Sequence, residues 1–378
     1  MPTVGAMFYA INLEDRIRED HPLRSIKVAV EDILSELAPM FEKAYSTTGR
    51  PSVPPEVLLK GLLLQCLYSI RSERQLVERL DTDLLFRWFC GLDPAQEVFD
   101  ATAFTHNRPR LDAQDITSAF FAAVRQRAID AGLTSDEHFS VDGSLIESHA
   151  SIKSFKPTEG QDHDDDSNDF KPRNAEVNFR GAKPSNQTHR STTDPEARLY
   201  RKSSGQEARL CHIGHAISEN RHGLIMSVDV TEANGRAERA AMIAMVDELR
   251  SVLIQPRTLG ADRGFDSGPC MIELEQRGVE PHIAMRSGVI GGAKGTGVLH
   301  RKKRPGVAAR RRMKRRTRSV AYRLSQRARK KIEEAFGWCK TIAGLARARH
   351  VGRWKIKQQF ELAAAAFNLV RMRNLLAN

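Results

Sequence analysis

The sequence EHFSVDGSLIE, residues 137–147, alternates between apolar and polar side chains. This period of two predicts a β-strand with one apolar face, formed by Phe139, Val141, Gly143 and Leu145. Asp142 lies in the middle of that strand, where aspartate is disfavoured. Because a desolvated carboxylate is costly unless a positive group meets it, we expect a cation beside it. We therefore predict that Asp142 is the first of three carboxylates that hold divalent metal.

The composition favours a polyanionic partner. The 378 residues carry a net charge of +12, and the pI is near 9.6. Such a basic balance is typical of nucleic-acid-binding proteins. The longest apolar runs are too short to span a membrane, and no secretion signal is visible. Five cysteines lie far apart without a CxxC pair, which disfavours zinc ribbons and disulfide scaffolds, so we expect a reduced cytoplasmic protein without a membrane partner.

Residues 1–132 are predicted to form an all-helical domain. Apolar residues recur at helical spacing from Leu23 to Phe41, and a second apolar helix is expected to end near Ile70. The polar and basic stretch from Asp100 to Arg110 is expected to lie between these helices and a last one at about 115–131. Short helices around a basic stretch fit a helix-turn-helix-like DNA-binding domain, and they fit a plain helical packing domain equally well.

Residues 133–378 are predicted to form an α/β domain. The strand at Asp142 is followed by a polar stretch, at about 150–205, that we expect to be a solvated loop. Two further strands and then alternating helices and strands follow, which predicts a mixed sheet with helices on its faces. Asp262 lies at the end of the fourth strand. Open α/β sheets bind their ligands at that end of a strand.

A basic segment at about 300–331 precedes the last two predicted helices. Residues 301–331 contain 16 lysines and arginines, and no acidic residue occurs between Glu280 and Glu333. The segment lies inside the chain and leads into an amphipathic helix predicted from Gln326 to about Arg347. We therefore predict that it binds DNA phosphates, with contacts from Arg310, Arg311, Arg312, Lys314, Arg315 and Arg316.

Asp142, Asp262 and a glutamate on the helix after the basic segment could form one metal site. Three carboxylates could hold two Mg²⁺ ions roughly 3.5–4 Å apart, and such a pair promotes phosphodiester displacement. Hard oxygen ligands favour Mg²⁺ or Mn²⁺ over zinc.

Several blocks of the sequence together resemble a DDE transposase of the insertion-sequence-5 family. They are FSVDGSLIE at 139–147 with SIKSF at 151–155, TTDP and ARLYRK within 192–202, LGADRGF at 259–265 and RKKIEEAFGWCK at 329–340. In the last block Arg329, Glu333 and Lys340 have the spacing of the family's third block, whereas Gln326 stands where the family usually has tyrosine. The segment from Gly49 to Arg110 also resembles the family's N-terminal domain.

This resemblance implies an RNase H-like catalytic domain. Its metal ligands would be Asp142, Asp262 and Glu333, holding two Mg²⁺ ions that Mn²⁺ can replace, while Arg329 and Lys340 would contact DNA. It also implies an enzyme that binds the terminal inverted repeats of its element, cleaves at the element ends and joins the freed 3′-hydroxyls to target DNA. Such an enzyme would act as a homodimer in the cytoplasm of a bacterial or archaeal cell, associated with the nucleoid.

Three alternatives remain open from the sequence. A helical wheel places Glu333 and Glu334 on opposite flanks of the apolar stripe, so burial alone does not decide which is the third ligand; Arg329, the glycines and Lys340 on its row favour Glu333. The chain could be a metal-dependent nuclease that does not transpose. It could also be a DNA-binding regulator without catalysis.

Overall fold

The computed structural model describes residues 12–45, 52–158, 184–201, 207–234, 237–286 and 305–377. Most of the polar stretch predicted as a solvated loop, including the acidic residues at 162–169, and the basic residues 301–304 lie outside these ranges. The chain divides into two compact units. One comprises residues 1–128, 342–344 and 365–378, and the other comprises residues 129–341 and 345–364.

The N-terminal region is all-helical, as predicted. Its helices are α1 (Leu13–Arg16), α2 (Leu23–Ala44), α3 (Pro55–Leu67), α4 (Glu73–Thr82), α5 (Leu84–Cys90), α6 (Thr102–Ala113) and α7 (Ile116–Asp130). Side-chain caps begin several of them. For example, the Ser72 hydroxyl accepts a hydrogen bond from the Gln75 amide, and the Asp83 carboxylate accepts one from the Leu85 amide. Asp83 is thus the cap of α5, whereas Asp81 pairs with Arg87.

The predicted polar break between Asp100 and Arg110 is wrong, because α6 occupies most of that stretch. The helix begins where the Asp100 carboxylate accepts a hydrogen bond from the Thr102 amide. Phe104, Asn107 and Leu111 then form its buried side, at spacings of three and four residues. The polar and basic residues between them conceal this stripe in the sequence.

The second unit contains a six-stranded mixed sheet. Its strands are β1 (His138–Glu147), β4 (Arg198–Tyr200), β5 (Arg209–Glu219), β6 (Ile225–Glu232), β7 (Thr258–Ala261) and β8 (Glu280–Ile283). β1 is central: it pairs antiparallel with β5 on one side and parallel with β7 on the other. β6 and β4 pair antiparallel with the far edge of β5, and β8 pairs parallel with β7. This topology confirms the predicted RNase H-like mixed sheet.

Helices follow the strands in the predicted alternation. They are α8 (Ala237–Ser251), α9 (Gly268–Gln276), α10 (Pro305–Arg316), α11 (Val320–Ala328), α12 (Lys330–Thr341) and α13 (Arg353–Leu376). The single helix predicted from Gln326 to Arg347 is wrong, because two helices meet at Arg329. Ser319 caps α11 by accepting a hydrogen bond from the Tyr322 amide, so that helix begins before Gln326.

Parts of the predicted solvated loop at 150–205 are packed. Strands β2 (Phe155–Pro157) and β3 (His189–Ser191) form a small antiparallel sheet, and β4 joins the main one. Asp194 is fully buried and accepts hydrogen bonds from Ser148 at 2.7 Å and from the His212 ring at 2.9 Å. Buried polar pairs hold the segment around Asp194 in place. Its sequence therefore shows no hydrophobic periodicity, although the segment is packed.

No helix among the described residues is both long enough and apolar enough to cross a lipid bilayer.

Candidate active site at the ends of β1 and β7

Asp142 lies on β1 just beyond the point where the pairing of β1 with β7 ends. β1 pairs with β7 only from His138 to Ser140, so the chain from Asp142 onward borders an opening on that side. The carboxylate of Asp142 accepts a hydrogen bond from the Gly143 amide at 2.8 Å. Burial raises the pKa of Asp142 to about 6, and the neighbouring carboxylates of Asp262 and Glu333 add to the rise. The sequence-based expectation of a desolvated carboxylate on this strand is therefore met.

Asp262 borders the same opening from β7. It follows the last residue of that strand, and its carboxylate accepts a hydrogen bond from the Gly264 amide at 2.7 Å, which caps a short 3₁₀ turn. The opening lies between the parallel strands β1 and β7. Strand β5 pairs with the other side of β1, and strand β8 pairs with the other side of β7, so the sheet extends in opposite directions from the opening. Open α/β sheets bind ligands at such a reversal of strand order.

Arg329 joins Asp142 to Glu333. Its guanidinium lies 3.6 Å from an Asp142 oxygen and 3.6 Å from a Glu333 oxygen. Its Nε is buried without a hydrogen-bond partner among the described residues. Arg329 therefore supplies the positive partner that the sequence led us to expect beside Asp142. Glu333 is 58% exposed and Glu334 is exposed as well, so exposure does not separate the two acids.

The carboxylate oxygens of Asp142, Asp262 and Glu333 are suitable ligands for a hard divalent cation. In this conformation they are not arranged as a complete coordination site. In the ranges that the structure describes, no group of three or more histidine, cysteine, aspartate or glutamate side chains stands ready to hold a metal ion. Asp142 is largely desolvated, and an arginine that is itself incompletely hydrogen-bonded partly compensates its charge. Carboxylate oxygens in this state fit Mg²⁺ or Mn²⁺.

Glu238 also lies close to Asp262, although the sequence does not single it out. It lies in the first turn of α8, and burial raises its pKa, with further increases from Asp262 and Asp142. The sequence pattern predicts a helix after β5 and β6 but does not single out Glu238. An acid in a first helical turn is common, because it interacts favourably with the helix dipole. Only the sheet topology, which brings this helix end to Asp262, distinguishes Glu238 from other such acids.

Gln326 connects α11 to the sheet at Ala261, the residue that precedes Asp262. Its Nε2 donates hydrogen bonds to the Ala261 carbonyl, at 3.4 Å, and to the His282 carbonyl. These two carbonyls lie in neighbouring strands, β7 and β8. At the position where the resembling family usually has tyrosine, this chain therefore has an amide that fixes α11 against the strand ends.

The basic segment has two different faces. On one, Arg310 forms two hydrogen bonds to the fully buried carboxylate of Asp266, at 2.9 and 2.8 Å, and Arg312 and Arg316 pair with Glu275. The other face is solvent-exposed and comprises Arg311, Lys314, Arg315 and Arg318. Those four residues, with Ala308 and Arg312, line a concave surface of about 470 Å³, and no acidic residue is among the described residues that line it.

Lys340 follows Glu333 on the same helix, about two helical turns later. It is near the end of α12 and within electrostatic range of Cys211 on β5. It therefore borders the sheet beside β5, whereas Arg329 borders the opening between β1 and β7.

Removing the charge of Asp142 should change how stability depends on pH. Because the folded-state pKa of about 6 exceeds the ordinary value, this group favours folding at low pH, and its contribution is lost as the pH rises through the folded pKa. In metal-free solution, the unfolding free energy of Asp142→Asn minus that of wild type should increase by about 1–3 kcal/mol as the pH rises from about 4 to about 7. Urea unfolding in EDTA measures this difference. A difference that does not change with pH would contradict a desolvated carboxylate at this position.

Two family models match the chain. One, described as a transposase domain (DUF772), matches residues 11–110, and the other, described as a transposase DDE domain, matches residues 180–369. The second match includes Asp262 and Glu333, and Asp142 precedes it. Neither a curated protein nor a solved structure gives a significant match.

Proposed function

The chain belongs to the DDE transposases, and from that premise we propose that it cleaves DNA at the ends of its own element and joins them to target DNA. The observation that carries the proposal is the position of Asp142 and Asp262 on either side of the opening between β1 and β7, with Glu333 linked to Asp142 through Arg329. DDE transposase domains are metal-dependent and generally use Mg²⁺.

Asp142, Asp262 and Glu333 are the residues that would hold two Mg²⁺ ions, which Mn²⁺ can replace. When bound, the ions polarise the phosphodiester and stabilise charge on the attacking and leaving oxygens. The chain keeps two of these carboxylates in place through backbone hydrogen bonds, from the Gly143 amide to Asp142 and from the Gly264 amide to Asp262. Gln326 fixes the helix that leads to Arg329 against the ends of β7 and β8.

Arg329 would exchange partners during the reaction. In the structure its guanidinium pairs with Asp142 and Glu333. With divalent cations held by those carboxylates, the planar guanidinium of Arg329 would be able to form paired hydrogen bonds to a DNA phosphate. Lys340, on the same helix as Glu333, would contact the DNA backbone beyond this point.

The exposed face of the basic segment is the proposed binding surface for the DNA backbone. Arg311, Lys314, Arg315 and Arg318 project from one side of α10 and the turn after it, without acidic neighbours on the concave surface that they line. Arg310, Arg312 and Arg316 are engaged by Asp266 and Glu275, so their main role is to dock α10 against α9. They remain cations close to the DNA but are less available to phosphates.

Neutralising the exposed face should reduce the salt dependence of DNA binding. The triple change of Arg311, Lys314 and Arg315 to glutamine removes about three phosphate contacts, so the slope of log K against log salt should fall by about 2.7. Fluorescence anisotropy with a DNA duplex at several salt concentrations measures the slope.

The matched control is the triple change of Arg310, Arg312 and Arg316 to glutamine, which removes the same charge. It should alter the slope less and lower the melting temperature, because it leaves Asp266 buried without its cation. Equal slope changes in the two variants would contradict the division into a DNA-binding and a docking face.

DNA-end recognition is proposed for the helical N-terminal region, residues 1–132, together with dimerisation. The match of residues 11–110 to a transposase domain supports this assignment, and the remaining 133–378 would form the catalytic domain. Purified full-length protein should bind its terminal inverted repeats and nick them in Mg²⁺ but not in EDTA. Nicking that persists in EDTA would refute metal-dependent cleavage.

A further inference from the structure

The first turn of α8 reaches the opening between β1 and β7 from the face of the sheet opposite α12. Glu238 Oε1 lies 3.0 Å from the point that a Cβ on Gly143 would occupy. Its Oε2 lies 3.4 Å from the point that a Cβ on Gly264 would occupy, and Asp262 Oδ1 lies 2.9 Å from that same point. The carboxylates of Glu238 and Asp262 therefore converge over Gly264.

Two glycines leave the space that Glu238 uses. Gly143 follows Asp142 on β1, and a side chain there would also meet His215 and Ile213 at 3.3 Å. Gly264 donates its amide to Asp262. Without these two glycines the carboxylate of Glu238 would be pushed away from both strand ends. The close approach is thus built into the residues that flank the two aspartates.

Glu238 forms no ion pair with a lysine or arginine of the described residues. Arg239 is a nearby cation, but its guanidinium donates hydrogen bonds to the Gly264 carbonyl, at 2.9 and 3.2 Å. A glutamate that served only the helix dipole would gain nothing from facing two aspartates, since like charges repel. The arrangement becomes favourable when a cation lies among the three carboxylates.

We propose that Glu238 supplies a fourth carboxylate to the divalent-cation site, an inference that rests on the function proposed above. Glu333 reaches Asp142 by way of Arg329 on the α12 side, whereas Glu238 reaches Asp262 on the α8 side. A site for two cations needs oxygen ligands around each cation. Asp142 and Glu333 would supply them on the α12 side, and Asp262 and Glu238 on the α8 side. Glu238 thus completes the ligand set on the side that Glu333 does not reach.

The test is Mn²⁺ binding to the full-length protein without DNA. Calorimetric titration and the electron paramagnetic resonance signal of free Mn²⁺ both measure this binding. Glu238→Gln keeps the size of the side chain and removes its charge. It should weaken binding of at least one ion by about 10–100-fold. Glu334→Gln, an equal loss of charge at an exposed position on α12, should bind Mn²⁺ like wild type.

Thermal unfolding separates a metal ligand from a structural residue. In EDTA, Glu238→Gln should melt at the wild-type temperature or above it, because repulsion from Asp262 and Asp142 is relieved, whereas the rise in melting temperature on adding Mn²⁺ should shrink. A structural residue would lower the melting temperature in both conditions. Gly143→Ala, which displaces Glu238 without removing it, should weaken Mn²⁺ binding in the same direction.

Three outcomes overturn the inference, and they differ in what else they overturn. If Asp142→Asn and Asp262→Asn weaken Mn²⁺ binding while Glu238→Gln does not, Glu238 is no ligand and the proposed function stands. If none of the three variants changes Mn²⁺ binding, the proposed metal site fails, and the inference fails with it. A Glu238→Gln protein that is destabilised in EDTA, with unchanged Mn²⁺ affinity, also refutes the inference.

Discussion

Asp142→Asn and Asp262→Asn should each reduce DNA cleavage by at least about 10³-fold while end binding stays near the wild-type level. The loss of a carboxylate ligand removes several kcal/mol of transition-state stabilisation, and each 1.4 kcal/mol corresponds to about tenfold in rate. The amide oxygen can keep the hydrogen bond from Gly143 or Gly264, so the local backbone should be preserved. Cleavage of end-labelled DNA in Mg²⁺ measures the rate, and gel retardation in EDTA measures binding.

The same assay separates loss of chemistry from loss of folding. Both variants should show a cooperative thermal transition in EDTA, and Asp142→Asn should not melt below wild type, because burial of its carboxylate is unfavourable. Cleavage at the wild-type rate by either variant would remove that aspartate from the active site.

Glu333→Gln should abolish Mg²⁺-dependent nicking, whereas Glu334→Gln should retain most of it. Glu333 is linked to Asp142 through Arg329. In the described part of the chain Glu334 forms no ion pair, although it neighbours Glu333 in sequence and is also exposed. The two variants carry the same charge on the same helix, so each is the control of the other. Nicking rates at saturating Mg²⁺ give the comparison.

The opposite result would shift the catalytic helix by one residue. If Glu334→Gln abolished nicking and Glu333→Gln did not, the roles proposed for Arg329 and Lys340 would also be withdrawn, since both depend on the same register of α12. Loss of nicking in both variants would show only that this turn is sensitive to charge. In that case alanine at each position, compared by Mn²⁺ titration, identifies the ligand.

The central strand and its aspartate could be predicted from sequence because their pattern is local. Alternation around Asp142 gives the strand, and a charge in that pattern implies a partner, which the structure supplies as Arg329. The succession of strands and helices after it was also predicted, and it indicates a mixed sheet with helices on its faces. The helix across Asp100–Arg110 was missed because its buried stripe is interrupted by polar residues.

The rest of the site depends on contacts between distant parts of the chain. Glu238 precedes Asp262 by a helix and a strand, and nothing in its own neighbourhood reveals that the two carboxylates meet over Gly264. The basic segment is similar, since its composition predicts phosphate binding for every cation in it. Only the packing of α10 on α9 shows that Arg310, Arg312 and Arg316 already have acidic partners.

The most direct test of the account is the joining of element ends to target DNA by the purified protein. Two end duplexes would be compared, one with a 3′-hydroxyl at the transferred strand and one with a 3′-deoxy terminus, each with supercoiled target plasmid and Mg²⁺. We predict covalent joint products from the 3′-hydroxyl end, none from the 3′-deoxy end, and none from either with Asp142→Asn. Cleavage of the ends without any joint product would contradict a transposase mechanism and leave a metal-dependent nuclease.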